Sequence, residues 1–195
     1  MREGNRKKLA DAIMELTRNR PIDDISVSTL VNRAGVSRST FYYYFSVPQD
    51  VVDYMMDAFL DEYLGILSLP KEKHSLNVPR QHRLQQENRL HSFVVANASY
   101  IHYFFQPENY FRFQKTFFDH FVLYCRDYVL VLIKGDGHVE QVKRGVFYDY
   151  ALRLIFAHYF ELLRFWEERE FSENGEDFTA ILETLFSGMI TLQAK

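Results

Sequence analysis

Apolar residues along this chain recur at steps of three and four, and that spacing confines the fold before any motif is considered. Leu9, Ile13 and Leu16 form one such set, and Val27, Leu30, Val31 and Ala34 a second. Val51, Val52, Met55, Phe59, Leu60 and Tyr63 form a third. Side chains three and four apart share one face of an α-helix, whereas a half-buried strand needs strict alternation, and no alternating run occurs here. Helix-stopping residues divide the pattern: Asn19-Arg20-Pro21, Gly35, Pro48, Gln106-Pro107, "KGDGH" and "FSENGED". Proline cannot continue a helix interior, and glycine after a helix takes the left-handed backbone at no steric cost. The spacing predicts helices over 6–18, 27–34, 37–45, 48–67, 87–105, 107–132, 139–168 and 176–192. The polar segment 68–86, with two of the five prolines, is expected to be a connecting loop. The expected fold class is all-α: a small N-terminal helix-turn-helix domain (1–47) joined by a fourth helix to a larger helical domain (48–195).

Charge is distributed unevenly between these parts. Residues 1–47 carry eight Lys/Arg against five Asp/Glu, and residues 48–195 carry fifteen against twenty-one. A basic module on an acidic body hints at a polyanion partner for the first part only, although an ordinary solvated surface is the better explanation of the charge taken by itself. The single cysteine, Cys125, excludes an internal disulfide framework and suits a reducing compartment. No signal-peptide-like apolar run follows the charged start, and "YVLVLI" at 128–133 is too short to span a bilayer, so a cytoplasmic protein without a membrane partner is expected.

The stretch "NRAGVSRSTFYYYF" carries the strongest functional signal. Ser26 and Ser37 stand where N-caps are needed, and Gly35 separates two short helices. On a helix that turns 100° per residue, Phe45 lies about 40° from Phe41, so these two rings share the inner face. Ser39, Thr40, Tyr42 and Tyr43 fall on the far side, with Arg38 and Tyr44 at the borders. A rod about 12–14 Å long that presents hydroxyls, amphipathic rings and an arginine fits the major groove of DNA. Hydroxyls donate to phosphate oxygens, and a guanidinium forks onto a guanine edge or a phosphate. Short helical hairpins with a glycine turn also occur in proteins that never touch DNA, where outward tyrosines cover a neighbouring helix.

The segment 9–52, containing "ISVSTLVNRAGVSRSTFYYYFSVPQDVV", resembles the DNA-binding region of the TetR/AcrR family of bacterial transcriptional regulators. The likeness rests on the capped helix, the A-G-V-S turn and an aromatic-rich recognition helix ending in Tyr42-x-x-Phe45. It implies that Ser37, Arg38, Ser39, Thr40, Tyr42, Tyr43 and Tyr44 occupy DNA-touching positions, and that Thr29 touches the phosphate backbone. Two positions depart from the family: Tyr44 where histidine is frequent, and Pro48 where a phosphate-gripping lysine is frequent. The basic residues Arg2, Arg6, Lys7 and Lys8 are the expected substitute for that charge.

The remainder resembles the family's effector domains more weakly, mainly through "LLRFWEEREFSENGEDFTAILETLFSGM". That likeness implies a homodimer built on the last two helices, a palindromic operator and a small-molecule effector. Helices apolar over so wide an arc also need partners on two sides. Between Tyr100 and Tyr128 there are twelve aromatic rings in 29 residues, either plain core or the lining of a ligand cavity. Candidate ligand contacts are Asn97, His102, Phe105, Phe117, His120, Tyr124 and Tyr159. The seven histidines are scattered, with no H-E-x-x-H, no Cys-His cluster, no G-x-S-x-G and no phosphate loop. Neither catalysis, nor a metal, nor a cofactor is expected. The expected function is a dimeric repressor released by an effector. Two alternatives remain: a partner-controlled co-activator of the same fold, and a helical small-molecule-binding protein that no longer reads DNA.

Overall fold

A computed structural model describes residues 2–67, 80–134 and 144–172. All regular structure among them is helical: α1 (Arg2–Leu16), a 3-10 turn (Ile22–Asp24), α2 (Val27–Ala34), α3 (Arg38–Tyr44), α4 (Pro48–Leu67), α5 (Arg80–Ala96), α6 (Ala98–Phe104), α7 (Pro107–Lys134) and α8 (Arg144–Glu168). The chain divides into two compact units, 1–59 and 60–195, the division falling inside α4.

In the first unit each helix end has a local cause. Ser26 accepts the Thr29 N–H at 3.1 Å and so caps α2. Gly35 ends it at φ +63°, ψ +36°, and the next N–H, of Val36, closes onto the Val31 carbonyl at 3.1 Å. Ser37 caps α3 by accepting the Thr40 N–H at 3.0 Å. Pro48 opens α4, where a missing N–H costs nothing. The Asp50 carboxylate reaches back to the Ser46 and Val47 N–H groups at 2.6 and 3.1 Å, satisfying donors that the helix start leaves free. Leu9, Ile13, Ile25, Leu30, Val31, Phe41, Phe45, Val51 and Val52 are buried and make the core. α1 starts four residues before its expected position and ends two before it, and Thr17 still bonds back to Ile13 as the helix frays.

The second unit is organised by rings. Phe117 contacts Tyr63, Phe113, Phe156 and Phe160 at centroid distances of 5.6, 5.8, 5.5 and 5.9 Å, most of them tilted or edge-on as ring quadrupoles prefer. Phe104 stacks on Phe113 at 5.0 Å, and Phe121 meets Phe156 at 5.7 Å. Burial among these rings pushes the Tyr63 phenol well above its usual pKa. Two helix boundaries differ from expectation. The helix predicted over 87–105 is broken at Asn97, whose side chain bonds the Phe93 carbonyl at 2.8 Å while its backbone leaves helical geometry (φ −107°, ψ 13°). α5 begins at Arg80, inside the segment 68–86 expected to be loop; 68–79 lie outside the described residues. The helix predicted over 176–192 lies outside them as well, as does the Cys125 side chain. α8 closes with Glu170 and Phe171 both at φ +54°, the Phe171 N–H bonding the Trp166 carbonyl at 3.0 Å and the two rings meeting edge-on at 5.9 Å. A non-glycine left-handed closure is strained, and the ring contact offsets part of that strain.

Candidate nucleic-acid interface

The geometry of α3 follows from its sequence: Phe41 and Phe45 face inward at 0% and 8% exposure, and Tyr42 and Tyr43 stand out at 59% and 66%. The inner pair anchors the helix, with centroids 6.0 Å apart. Arg38 and Ser39 are exposed at the start of the same rod. Ser37, Ser39 and Thr40 form one hydroxyl cluster, in which Ser37 Oγ lies 2.8 Å from both Ser39 Oγ and Thr40 Oγ1. The Ser37 oxygen is thereby committed to capping, and its hydroxyl is tied to the helix it starts. Thr29 is placed similarly on α2: its N–H and its hydroxyl both bond to Ser26 Oγ, and the residue is half-buried.

Tyr44 sits differently from its neighbours. It is half-buried, meets Tyr43 edge-on at 4.8 Å and lies under the guanidinium of Arg6 at 5.8 Å. Arg6 also covers Tyr54, at 4.9 Å. Its cation is thus held between two rings, an arrangement favoured by the negative ring faces. The exposed lysines near the chain start are Lys7 and Lys8, and Arg33 is engaged in an ion pair with Glu15 that lowers the carboxyl pKa. Alongside α3 runs a groove of about 490 Å³ bordered by Tyr42, Tyr43, Tyr54, Asp50, Asp53 and Asp57. Three carboxylates on that flank repel a polyanion, while Arg38 and the hydroxyl-bearing start of α3 attract one. Sequence reasoning missed this acidic boundary. Its signal was present, since Asp50, Asp53 and Asp57 recur at three and four along one face of α4.

Neither the groove beside α3 nor a second one, between α7 and α8, is lined by the residues expected to hold a ligand; each of those residues meets other groups of the chain. Asn97 caps α5, as described above. His102 is exposed, with Nδ1 2.6 Å from Glu167 Oε1 and Nε2 3.0 Å from the Gln106 amide. His120 Nδ1 lies 3.2 Å from Asp61 Oδ1, and the Tyr124 hydroxyl donates to the Asp61 carbonyl at 3.2 Å. Phe105, Phe117 and Tyr159 contact the Phe113, Phe160 and Phe121 rings respectively. The second groove, of about 420 Å³, is bordered by Phe111, Phe118, Arg153, Phe156 and Phe160. Its outward signal is Phe111, 78% exposed on a helix whose other rings mostly face inward. Among the described residues no group of His, Cys, Asp or Glu could hold a metal ion, and no helix is long and apolar enough to cross a membrane.

Two short capped helices, a left-handed glycine between them and a second helix with a polar face in solvent define a helix-turn-helix protein. Its residues 9–52 match the sequence model of the bacterial regulatory proteins of the tetR family, and this N-terminal unit carries that family's module. The chain as a whole shares its fold with a protein of Syntrophomonas wolfei str. Goettingen assigned to the TetR-family transcriptional regulators: TM-score 0.64, 14% identity, 97% of this chain and 96% of that one. A TetR-family transcriptional regulator of Streptomyces coelicolor aligns over 99% of both chains at 15% identity with a TM-score of 0.34. No curated protein matches the chain significantly.

Proposed function

We propose that this protein is a sequence-specific DNA-binding transcription regulator, acting as a dimeric repressor that a small-molecule effector releases from a palindromic operator. The observation that carries the DNA reading is the division of α3 into a buried Phe41/Phe45 face and an exposed face of Arg38, Ser39, Tyr42 and Tyr43. Nothing in the packing of the first unit requires two tyrosines in solvent, whereas a major groove would contact both. In this reading Arg38, Ser39, Tyr42 and Tyr43 meet the duplex directly. Ser37, Thr40 and Thr29 hold helix starts in place and present hydroxyls at the phosphates, and Tyr44 fixes Arg6 and Tyr43. The test is fluorescence anisotropy with DNA flanking the protein's own gene. Arg38→Ala is expected to weaken specific binding by about 1–3 kcal/mol, roughly five- to 150-fold, with an unchanged melting temperature. Unaltered affinity in that variant removes Arg38 from the interface.

Salt supplies a second measurement. Pro48 opens α4 where the resemblance to the TetR/AcrR family implies a lysine, and Arg6 is held by two rings behind α3. With one phosphate contact fewer, the slope of log affinity against log salt is expected to be shallower by about one unit than in lysine-bearing relatives. Pro48→Lys should restore that unit. A slope that the substitution leaves unchanged argues against a phosphate at this position.

The dimer is supported by α8. Val146, Tyr150, Leu154 and Phe165 are 51%, 66%, 70% and 56% exposed, and their spacing places them along one side of the helix. Exposed apolar side chains aligned on one side of a helix suit an association surface. Two-fold pairing would set two α3 helices toward successive turns of one duplex face. Leu154→Asp combined with Phe165→Asp is expected to leave a folded monomer by light scattering at micromolar concentration, with operator binding lost. A wild-type chain that is already monomeric at that concentration defeats this part of the reading.

A further inference from the structure

The groove between α7 and α8 has the properties of a binding site for a small amphipathic anion. Phe118, Phe156 and Phe160 give it aromatic walls, with Phe118 and Phe156 edge-on at 5.0 Å, and its volume of about 420 Å³ falls within the range of small-molecule sites. Its charged groups are not equivalent. Lys115 is answered by Asp119 at 2.5 Å, and Glu161 by Arg164 at 2.7 Å. Arg153 lies with its guanidinium over the Phe118 ring at 5.3 Å, and no carboxylate among the described residues pairs with it. Stacking on the ring face leaves the N–H edge of the guanidinium open for a two-point contact, the geometry that a carboxylate matches best. Residues 48–195 carry fifteen Lys/Arg against twenty-one Asp/Glu, so the Arg153 cation stands on an otherwise acidic part of the chain. Openness to solvent keeps the ligand's charged end hydrated, so an anion is not penalised for entering.

We propose that this groove binds an aryl carboxylate, its ring packed against the Phe118–Phe156 pair and its carboxylate on Arg153. This rests on the effector reading above and names the ligand class and the place. The ligand's flat apolar body explains why exposed Phe111 lies at the groove mouth, and its charge explains Arg153.

The full-length protein titrated calorimetrically with 2-naphthoate and with its neutral counterpart, 2-naphthamide, tests the site. The carboxylate is expected to bind about tenfold more tightly than the amide, the margin of a charge-assisted pair. Arg153→Gln should bring the two to the same affinity. Ala157→Phe, at an exposed lining position, should fill the groove and abolish both without lowering the melting temperature. Equal affinities in the wild type, or full binding in Ala157→Phe, overturns the proposal. So does an absence of binding together with a Phe111→Asp variant of lower molecular mass, which would assign the groove to a second copy of the chain. Anisotropy of operator DNA in the same titration separates the two readings. Naphthoate binding that leaves DNA affinity unchanged upholds the site and removes effector release from the proposed function.

Discussion

Replacing Phe41 with alanine is expected to destabilise the N-terminal unit by about 3–5 kcal/mol, enough to abolish its cooperative melting at moderate temperature. Phe41 is fully buried, packed against Phe45 at 6.0 Å and against the edge of Tyr42 at 5.3 Å. The unit spans residues 1–59, and a body of that size has a total stability of only about 3–9 kcal/mol. The neighbouring substitutions provide the contrast. Tyr42→Ala and Tyr43→Ala, at exposed positions, should change stability by about 1 kcal/mol or less while each weakens operator binding by at least as much. Circular dichroism on heating and DNA anisotropy on the same samples separate the two classes. Tyrosine variants that melt as Phe41→Ala does would mean that the outward rings hold the fold instead of meeting DNA.

That contrast was already legible in the sequence, and the reason is local. In the first unit four boundaries have their own chemical marker within one or two residues: Ser26, Gly35, Ser37 and Pro48 start or stop helices through backbone groups that are their sequence neighbours. A nine-residue stretch read at 100° per residue then fixes which ring is buried. What escaped was whatever depends on pairing between helices. Arg6 looked like a mobile cation for phosphate, but Tyr44 and Tyr54, 38 and 48 positions away, enclose it. The acidic flank of α4 was visible as spacing only, and it became a boundary of the interface once α3 and α4 were placed side by side.

In the second unit the helices were legible and the roles of individual side chains were not. The start of α4 and α7 and the end of α8 fall where the proline and polar signals place them. Asn97 shows the difficulty: a polar residue inside an apolar pattern reads equally as a ligand contact and as a satisfied pair, and its amide bonds the Phe93 carbonyl across a helix break that spacing did not reveal. His102 and His120 likewise pair with Glu167 and Asp61, carboxylates 65 and 59 positions distant that no periodicity links to them. The aromatic density between Tyr100 and Tyr128 was conspicuous, yet composition cannot tell a ring facing a cavity from a ring facing another ring. Here the spacing along α7 sends Phe113, Phe117 and Phe121 inward and leaves Phe111 in solvent.

Phe117→Ala tests that assignment with the other large effect. The ring is 0% exposed and in contact with Tyr63, Phe113, Phe156 and Phe160, so its removal opens a void walled by aromatic carbon that the surrounding helices can only partly close. The expected cost is about 3–5 kcal/mol by urea unfolding, whereas Phe111→Ala should remain within about 0.5 kcal/mol. A dry apolar void of this kind also takes up small aromatic molecules, so benzene should raise the melting temperature of Phe117→Ala and leave the wild type unmoved. If Phe117→Ala instead costs less than about 1 kcal/mol, or if the wild type responds to benzene as the variant does, the ring already borders open space. The interior of the second unit would then be a ligand chamber, and the groove beside Arg153 would lose its claim to be where an effector binds.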